Sequence, residues 1–176
     1  AQSVSNNNIE QLVDQLKSAK KPSWHLVTSR TDWRTLSSLD LPITAANQLS
    51  GLNEVFPLAE EAFPLFQLDE TQKKALSNYP PLKVPQIEPR SKGRTYSLLK
   101  QQIGNVPTQL PLFVFSADQQ EKSAVLLGEG IWKWRVDNYA RYGDHENFDG
   151  LISKSVQYLS VKSDKSYFRI SHEKEA

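Results

Sequence analysis

The amino-acid sequence predicts an α/β fold, in which helices flank a flavodoxin-like mixed sheet that includes a C-terminal antiparallel hairpin. Helical patterns alternate with short apolar runs in the N-terminal part of the chain, as they do where helices pack on a sheet. Towards the C-terminal end, two apolar runs are separated by a short polar segment, which favours the hairpin.

The length of the chain favours a single domain. With 176 residues it is long enough to bury one core, so we predict one domain over 1–176. Because the chain begins with Ala1 and has no methionine, we expect this domain to be excised from a longer chain.

Helix and strand alternate in the N-terminal part. Residues 9–19 predict an amphipathic helix, because apolar side chains recur there every three or four positions. A strand is predicted at 24–28, followed by a short capped helix at 31–39 and a second short strand at 42–46. This alternation favours an α/β sheet.

Prolines dominate the chain between residues 47 and 94. A proline has no backbone N–H to donate to a sheet ladder, so we expect irregular structure in this region. Two local features are predicted within it. Asp69 is a suitable N-cap for a short helix over 69–77, and residues 79–85 are expected to be extended because several of them precede prolines.

The C-terminal half has the clearest periodicity. Apolar stretches predict three strands, at 95–103, 110–116 and 123–128. The last two of these are expected to form the hairpin. Helices are predicted around 131–139 and from 148 to 160, and a last strand is predicted at 166–170.

The composition excludes several kinds of site. The chain has no cysteine, so it contains no disulfide, no thiolate metal site and no cysteine nucleophile. Its formal net charge of +1 gives no field that attracts nucleic acid, and we predict no nucleic-acid partner, no cofactor and no metal. No apolar run approaches the roughly 18 to 20 residues that span a bilayer, so we expect membrane contact only through segments outside this chain.

The segment 110–170 has the most distinctive order of motifs. A strand leads into the glycine-rich turn 128–130, which is followed by the run 131–135 and then by a helix that contains 156–159. In this order the segment resembles the C-terminal, class I glutamine amidotransferase-like domain of large Bacteroidetes-type envelope membrane proteins, which are often associated with von Willebrand factor A-type regions. Looser similarity extends to two other segments, 80–82 and 101–104.

The resemblance implies a fold and a cellular context. The fold is a flavodoxin-like sheet, whose first strand is expected to lie before Ala1. The context is a protein with membrane spans elsewhere in its full length, so that this domain lies in the cell envelope, outside the cytoplasm or at the membrane surface. The expected partners are other domains of the same polypeptide or other envelope proteins.

The enzymatic activity of the amidotransferases is not expected here. Active class I enzymes attack with a cysteine on a tight strand-to-helix turn, and this chain has no cysteine. We therefore predict that the chain is not an enzyme and has no catalytic residues, and that it is an interaction or structural module of a bacterial envelope protein. Two alternatives stay open: a domain that binds a small ligand or carbohydrate, and a serine hydrolase with its nucleophile at Ser29 or Ser116.

The turn formed by Gly128, Glu129 and Gly130 is a candidate anion site. It opens a predicted helix, and backbone N–H groups at a helix start can face an anion, as they do in phosphate-binding turns. The competing interpretation is structural, because two glycines also supply the dihedral angles of a sharp strand-to-helix turn. The carboxylate of Glu129 would repel an anion.

An aromatic and basic cluster follows this turn. Trp132, Trp134 and Arg135, with Tyr139 and Tyr142 nearby, are candidates to stack a sugar, a base or a proline of a partner. Trp132 and Arg135 are three positions apart and share a helical face, whereas Trp134 points elsewhere. We therefore expect at least one of the tryptophans to lie in the core.

The histidines have structural interpretations. His145 is flanked by two carboxylates, but adjacent residues do not share a helix face. We expect Asp144 to cap the helix that begins near Glu146. His25, inside an apolar strand, is expected to be packed.

Overall fold

The described part of the computed structural model contains six strands and three complete helices. It comprises residues 11, 12, 14, 15, 18, 19, 21–32, 36, 39, 41–117 and 122–161, with backbone only for 46–50. The strands are β1 (Ser23–Val27), β2 (Ile43–Ala59), β3 (Leu82–Ser91), β4 (Thr95–Ile103), β5 (Val106–Ser116) and β6 (Ser123–Leu127). The helices are α1 (Glu70–Leu76), α2 (Trp132–Tyr142) and α3 (Glu146–Ser160).

The strands form one mixed sheet, in the order β1, β6, β5, β4, β2, β3. β1 and β6 run parallel, and the other neighbouring pairs are antiparallel. The prediction of an α/β chain with a mixed sheet, flanking helices and an antiparallel hairpin is confirmed, and the hairpin is formed by β5 and β6. The parallel pairing that is typical of flavodoxin-like order is confined to β1 and β6 among the described strands.

The sheet curls so that its two ends approach each other. β1 and β6 stand at one end of the strand order and β3 stands at the other. The backbone N–H of Lys83, in β3, nevertheless donates to the carbonyl oxygen of Glu129 at 3.1 Å. The N–H of Glu129 donates in return to the carbonyl oxygen of Lys83 at 2.8 Å. The segment that follows β6 is therefore joined directly to the opposite end of the sheet.

Most predicted elements lie close to where the sequence pattern placed them. β1, β4 and β6 agree with their predictions to within one residue at each end, and β5 begins earlier than predicted, at Val106. α2 and α3 cover the two predicted C-terminal helices. α1 begins after Asp69, whose side chain accepts a hydrogen bond from the N–H of Gln72 in a capping box, as predicted.

Three predictions fall wholly or partly outside the described residues. Those residues between 11 and 19 that are described are helical, and so is Leu36 in the predicted helix at 31–39. The predicted strand at 166–170 lies outside the described part of the chain.

The prediction of irregular structure between residues 47 and 94 is wrong for two strands. β2 continues to Ala59, and β3 contains prolines. β3 tolerates them because it is an edge strand. The N–H of Lys83 faces away from β2. Every second residue of a strand turns its backbone groups to the same edge, and Pro85 and Pro89 lie an even number of positions after Lys83, so their nitrogens also face away from β2. No ladder hydrogen bond to β2 is lost there.

Aromatic rings pack α3 against the sheet. Phe115, on β5, is fully buried, and its ring centroid lies 5.7 Å from that of Tyr158 on α3 and 5.6 Å from that of Phe66. The Tyr158 hydroxyl donates to the carbonyl oxygen of Ser116 at 2.7 Å, so its polar end is also paired. Burial of one such side chain stabilises a fold by roughly 1.5 to 3 kcal/mol. This contact fixes α3, and with it the loop that leads back to α2.

Candidate functional site

The turn 128–130 is hydrogen-bonded to both β1 and β3, and we call it the joint after β6. The N–H of Gly128 donates to the carbonyl oxygen of Val27 at 2.7 Å, and the N–H of Glu129 is bonded to Lys83. Gly128 has a φ of 121°, and a Cβ there would lie 3.0 Å from a methyl group of Val84. Two of the N–H groups that an anion would need are therefore already bonded, and both the dihedral angle and the space require glycine at 128.

Gly130 completes this turn with less constraint. Its φ of 99° also favours glycine, but a Cβ there would meet only the flexible side chain of Lys133, at 3.4 Å. The N–H of Lys133 donates to the carbonyl oxygen of Gly130 at 2.9 Å, which starts the first turn of α2. The structural interpretation of the two glycines thus has direct support.

The Glu129 side chain ties the turn to the loop after β1. Its Oε1 accepts hydrogen bonds from the Ser29 N–H at 2.7 Å and from Ser29 Oγ at 2.5 Å. These hydrogen bonds, the hydroxyl one first, lower the pKa of the Glu129 carboxyl. The carboxylate is therefore ionised at neutral pH, and its charge disfavours an anion at the turn.

Among the described contacts of the two candidate serines, none activates a hydroxyl for nucleophilic attack. The Ser29 hydroxyl donates to Glu129, and a carboxylate of lowered pKa is a weak base. Ser116 is buried, and its Oγ accepts a hydrogen bond from the Ser123 N–H at 2.8 Å. The described contacts therefore give no support to the serine hydrolase alternative.

The two described histidines make structural contacts. A ring nitrogen of His25 lies 2.9 Å from Ser23 Oγ, and burial lowers the pKa of His25, in agreement with the expectation that it is packed. Nδ1 of His145 lies 3.0 Å from the carbonyl oxygen of Arg135. Neither ring is hydrogen-bonded to Ser29.

Trp134 belongs to the core. It is 0% exposed, and its indole stacks on the ring of Tyr79 with centroids 5.3 Å apart and planes at 17°. Its Nε1 donates to the carbonyl oxygen of Pro80 at 2.8 Å. The hypothesis that Trp134 contacts a ligand is therefore wrong, because no part of the indole is accessible. The expectation that one tryptophan of the cluster lies in the core is confirmed.

Asn138 anchors α2 beside Trp134. It is 0% exposed, its Oδ1 accepts from the Tyr79 hydroxyl at 2.8 Å, and its Nδ2 donates to the carbonyl oxygen of Asp144 at 2.9 Å. Burial raises the pKa of Tyr79 well above its usual range, so the hydroxyl keeps the proton that it donates. Oδ1 of Asp144 accepts from the N–H of Glu146 at 2.9 Å, so Asp144 bonds the start of α3 as expected. The N-cap position itself is occupied by His145, whose side chain makes no capping hydrogen bond. This buried network holds α2 in one orientation.

The opposite side of α2 carries exposed apolar side chains at helical spacing. They are Trp132, Val136, Tyr139 and Tyr142, which are 65%, 59%, 58% and 42% exposed. We call these four residues the α2 stripe. The aromatic pattern of the sequence indicated Trp132, Tyr139 and Tyr142 but not Val136. The position of Val136, four residues after Trp132, is the signal that identifies it.

Arg135 forms an ion pair beside the α2 stripe. Its Nε lies 3.0 Å from Oδ1 of Asp149, and its Nη2 lies 3.4 Å from Oδ2. Trp132 lies three positions before Arg135 and so shares its helical face. The structure thus keeps Trp132 and Arg135 together on the surface and separates both from Trp134.

A cleft of about 200 Å³ lies beside α1 and was not indicated by the sequence. Phe63 and Phe66 are among its apolar lining residues. At its rim, Nζ of Lys73 lies 3.1 Å from Oε2 of Glu61 and 2.9 Å from Oε1 of Glu70. One lysine is shared by two carboxylates, so a net negative charge remains at this part of the rim and disfavours an anionic ligand.

Comparisons with known proteins identify no relatives. No family model, no curated protein and no solved structure matches the chain. Within the part of the chain that the structure describes, no group of three or more His, Cys, Asp or Glu residues is placed to hold a metal ion. Among the same residues, every helix is too short or too polar to cross a bilayer. Function must therefore be inferred from the geometry of this chain.

Proposed function

We propose that this domain is a non-catalytic interaction module that binds a protein partner through the α2 stripe. The observation that carries the proposal is the exposure of Trp132, Val136, Tyr139 and Tyr142 along one side of a single helix. Tryptophan and tyrosine are enriched at protein interfaces, and rows of exposed apolar side chains mark such surfaces.

The rigidity of α2 supports the same proposal. The buried hydrogen bond between Tyr79 and Asn138, together with the burial of Trp134, holds α2 on the side opposite the α2 stripe. A surface that is already ordered loses little conformational entropy when a partner binds. The α2 stripe is therefore pre-organised for binding.

The proposed partners are other domains of the same polypeptide or other proteins of the cell envelope. This context comes from the resemblance of segment 110–170 to glutamine amidotransferase-like domains of envelope proteins, which stays a prediction. Protease added to spheroplasts tests the location, because a domain outside the cytoplasmic membrane is cleaved and a cytoplasmic one is protected.

Site-specific photocrosslinking tests the interaction. A photoreactive amino acid at Val136, in the protein expressed in cells, is expected to give a discrete crosslinked product. The same amino acid at Val156, which is 46% exposed on α3, is the matched control and is expected to give none. Trp132→Ser is expected to abolish the product at 136. Equal patterns at 136 and 156 would contradict the proposal.

A second candidate function is the binding of a carbohydrate by Trp132 and the ion pair of Arg135 with Asp149. It is favoured by the 65% exposure of the indole on the same helical face as a planar, charged hydrogen-bonding pair. Acrylamide quenching of tryptophan fluorescence tests it. Soluble oligosaccharides should protect the wild type and leave Trp132→Phe unaffected, and no protection in the wild type would remove this function.

A further inference from the structure

The cleft beside α1 has buried apolar side chains in its wall. Phe63, Leu68 and Leu98 are 7%, 8% and 2% exposed, and all three line it. Phe66 lines it as well, and its ring meets that of Phe63 edge to face with the centroids 5.0 Å apart. The cleft volume of about 200 Å³ exceeds the roughly 150 Å³ of a cavity that holds benzene. The cleft therefore has room for one ring or a short alkyl chain.

Acidic side chains outnumber basic ones at this cleft. Glu60, Glu61 and Glu70 are among its described lining residues, and Lys73 is the one basic residue among them. Glu60 is paired with Lys100, which belongs to β4. Lys73 is shared by Glu61 and Glu70, because its Nζ contacts one oxygen of each. Two lysines therefore face three carboxylates, and the described groups leave one negative charge uncompensated.

The pairing of these groups favours their charged forms. The hydrogen bond from Lys100 lowers the pKa of Glu60. Hydrogen bonds to Glu70 and, to a smaller extent, Glu61 raise the pKa of Lys73, which therefore stays protonated. Lys73 contacts Oε2 of Glu61 and Oε1 of Glu70. No described residue bonds the second oxygen of either carboxylate, so each can accept a hydrogen bond from a further cationic donor.

We propose that this cleft binds a small organic cation, namely a primary ammonium ion that carries one ring or a short alkyl chain. The apolar part packs against Phe63 and Phe66, since ligand sites combine an apolar lining with a few fixed polar groups. The ammonium group donates to the second oxygens of Glu61 and Glu70, and hydrogen bonds between charged partners are the stronger ones. No residue of the α2 stripe lines the cleft, so ammonium binding here is independent of partner binding there.

Chemical-shift titration by NMR with benzylammonium tests this proposal. The ring and the ammonium group of this probe match the apolar and the acidic parts of the cleft. We expect saturable shifts of the amides of Glu61, Phe66 and Lys73. The dissociation constant should be on the order of millimolar, because both rim carboxylates are exposed and water screens their charge.

Two neutral or anionic relatives of the probe separate the contribution of its charge. Benzyl alcohol and benzoate keep the ring but lack the positive charge, and each should bind at least roughly fivefold more weakly than benzylammonium. Equal binding of benzyl alcohol would overturn the proposal, and so would shifts that do not saturate with benzylammonium.

A double variant tests the two rim carboxylates directly. Glu61→Gln combined with Glu70→Gln keeps the size of both side chains and is expected to raise the dissociation constant for benzylammonium roughly fivefold. Thermal melting should change little, because both side chains are exposed. Glu54→Gln is the matched control, since it removes an exposed carboxylate of β2 that does not line the cleft, and it should bind as the wild type does. Unchanged binding by the double variant would overturn the proposal. A comparable loss in the control would do the same, because it would reduce the effect to the overall charge of the protein.

Discussion

Helices α1 and α3 touch at Gly150. A Cβ at this position would lie 2.3 Å from Nε2 of Gln72, which is 5% exposed. Gln72 is not free to move aside, because its Oε1 accepts hydrogen bonds from the Asp69 N–H at 3.1 Å and from Nζ of Lys154 at 2.6 Å. We therefore expect Gly150→Ala to destabilise the fold, although alanine is the better helix former.

The change in the free energy of unfolding that Gly150→Ala causes is the balance of opposing effects. Replacing glycine by alanine inside a helix stabilises it by about 1 kcal/mol. Displacing Gln72 loses about 1 kcal/mol for the neutral hydrogen bond and about 2 kcal/mol for the bond from the charged lysine, and overpacking adds roughly 1 kcal/mol. The Lys154 side chain is 31% exposed, so water replaces part of its bond. We expect a net loss of about 2 kcal/mol in the free energy of unfolding.

Urea denaturation of a double-mutant cycle checks this expectation. Gly150→Ala should destabilise the wild type but stabilise the Gln72→Ala variant by up to about 1 kcal/mol, because the amide that obstructs the methyl group is then absent. The change of sign is the signature of a direct contact between the two side chains. An effect of the same sign and size in both backgrounds would refute the reasoning.

Other substitutions test the joint after β6 and the anchor of α2. Gly128→Val should lower the free energy of unfolding by about 3 kcal/mol, through the contact with Val84 and strain at a φ of 121°; unchanged thermal melting would show that the turn adapts. Ser29→Ala should raise the lowered pKa of Glu129 towards the ordinary 4.5, as followed by NMR titration. Because the pKa of Glu129 is lowered in the folded state, its ionised carboxylate stabilises the fold at pH values above the pKa of the unfolded state. This contribution is lost as the pH falls through the folded-state pKa. Below pH 4.5 the free energy of unfolding of the wild type should therefore approach that of the variant. An unchanged pKa would eliminate the Ser29 hydroxyl as the cause. Asn138→Ala leaves a buried hydroxyl without its acceptor and should cost about 2 kcal/mol in denaturation, whereas no loss would mean that water replaces the amide.

β4 and β6 were predicted over nearly their full length, whereas only the beginning of β2 was predicted, and the difference lies in how local their signals are. β4 and β6 are short runs whose apolar residues identify them without knowledge of their neighbours. β2 has register shifts against β3 between Ala45 and Gln48 and between Gln48 and Leu52. Each irregularity interrupts the alternation of side chains between the two faces. The full extent of β2 depends on β3 and β4, which lie later in the chain, so no local pattern could reveal it.

The arrangement of the aromatic cluster was predicted only in part, because it also depends on residues that are distant in the sequence. Helical spacing separates Trp132 from Trp134, and the structure shows that separation. Which of the two indoles enters the core depends on Tyr79 and Pro80, which stack on Trp134 and accept its hydrogen bond. These partners are more than fifty positions away in the sequence. Periodicity alone therefore identified two faces of α2 but not the face that is exposed.

Glu129 shows why the glycine-rich turn left two interpretations open. Viewed locally, a carboxylate between two glycines at a helix start is only an argument against an anion. In the fold, its backbone pairs with Lys83 of β3 and its side chain holds Ser29 after β1. One residue therefore connects both ends of the curled sheet, and its negative charge is used to accept two hydrogen bonds from a loop that is distant in sequence. The two flanking glycines allow the backbone to reach both partners, so the motif is a structural joint because of contacts that its own sequence does not contain.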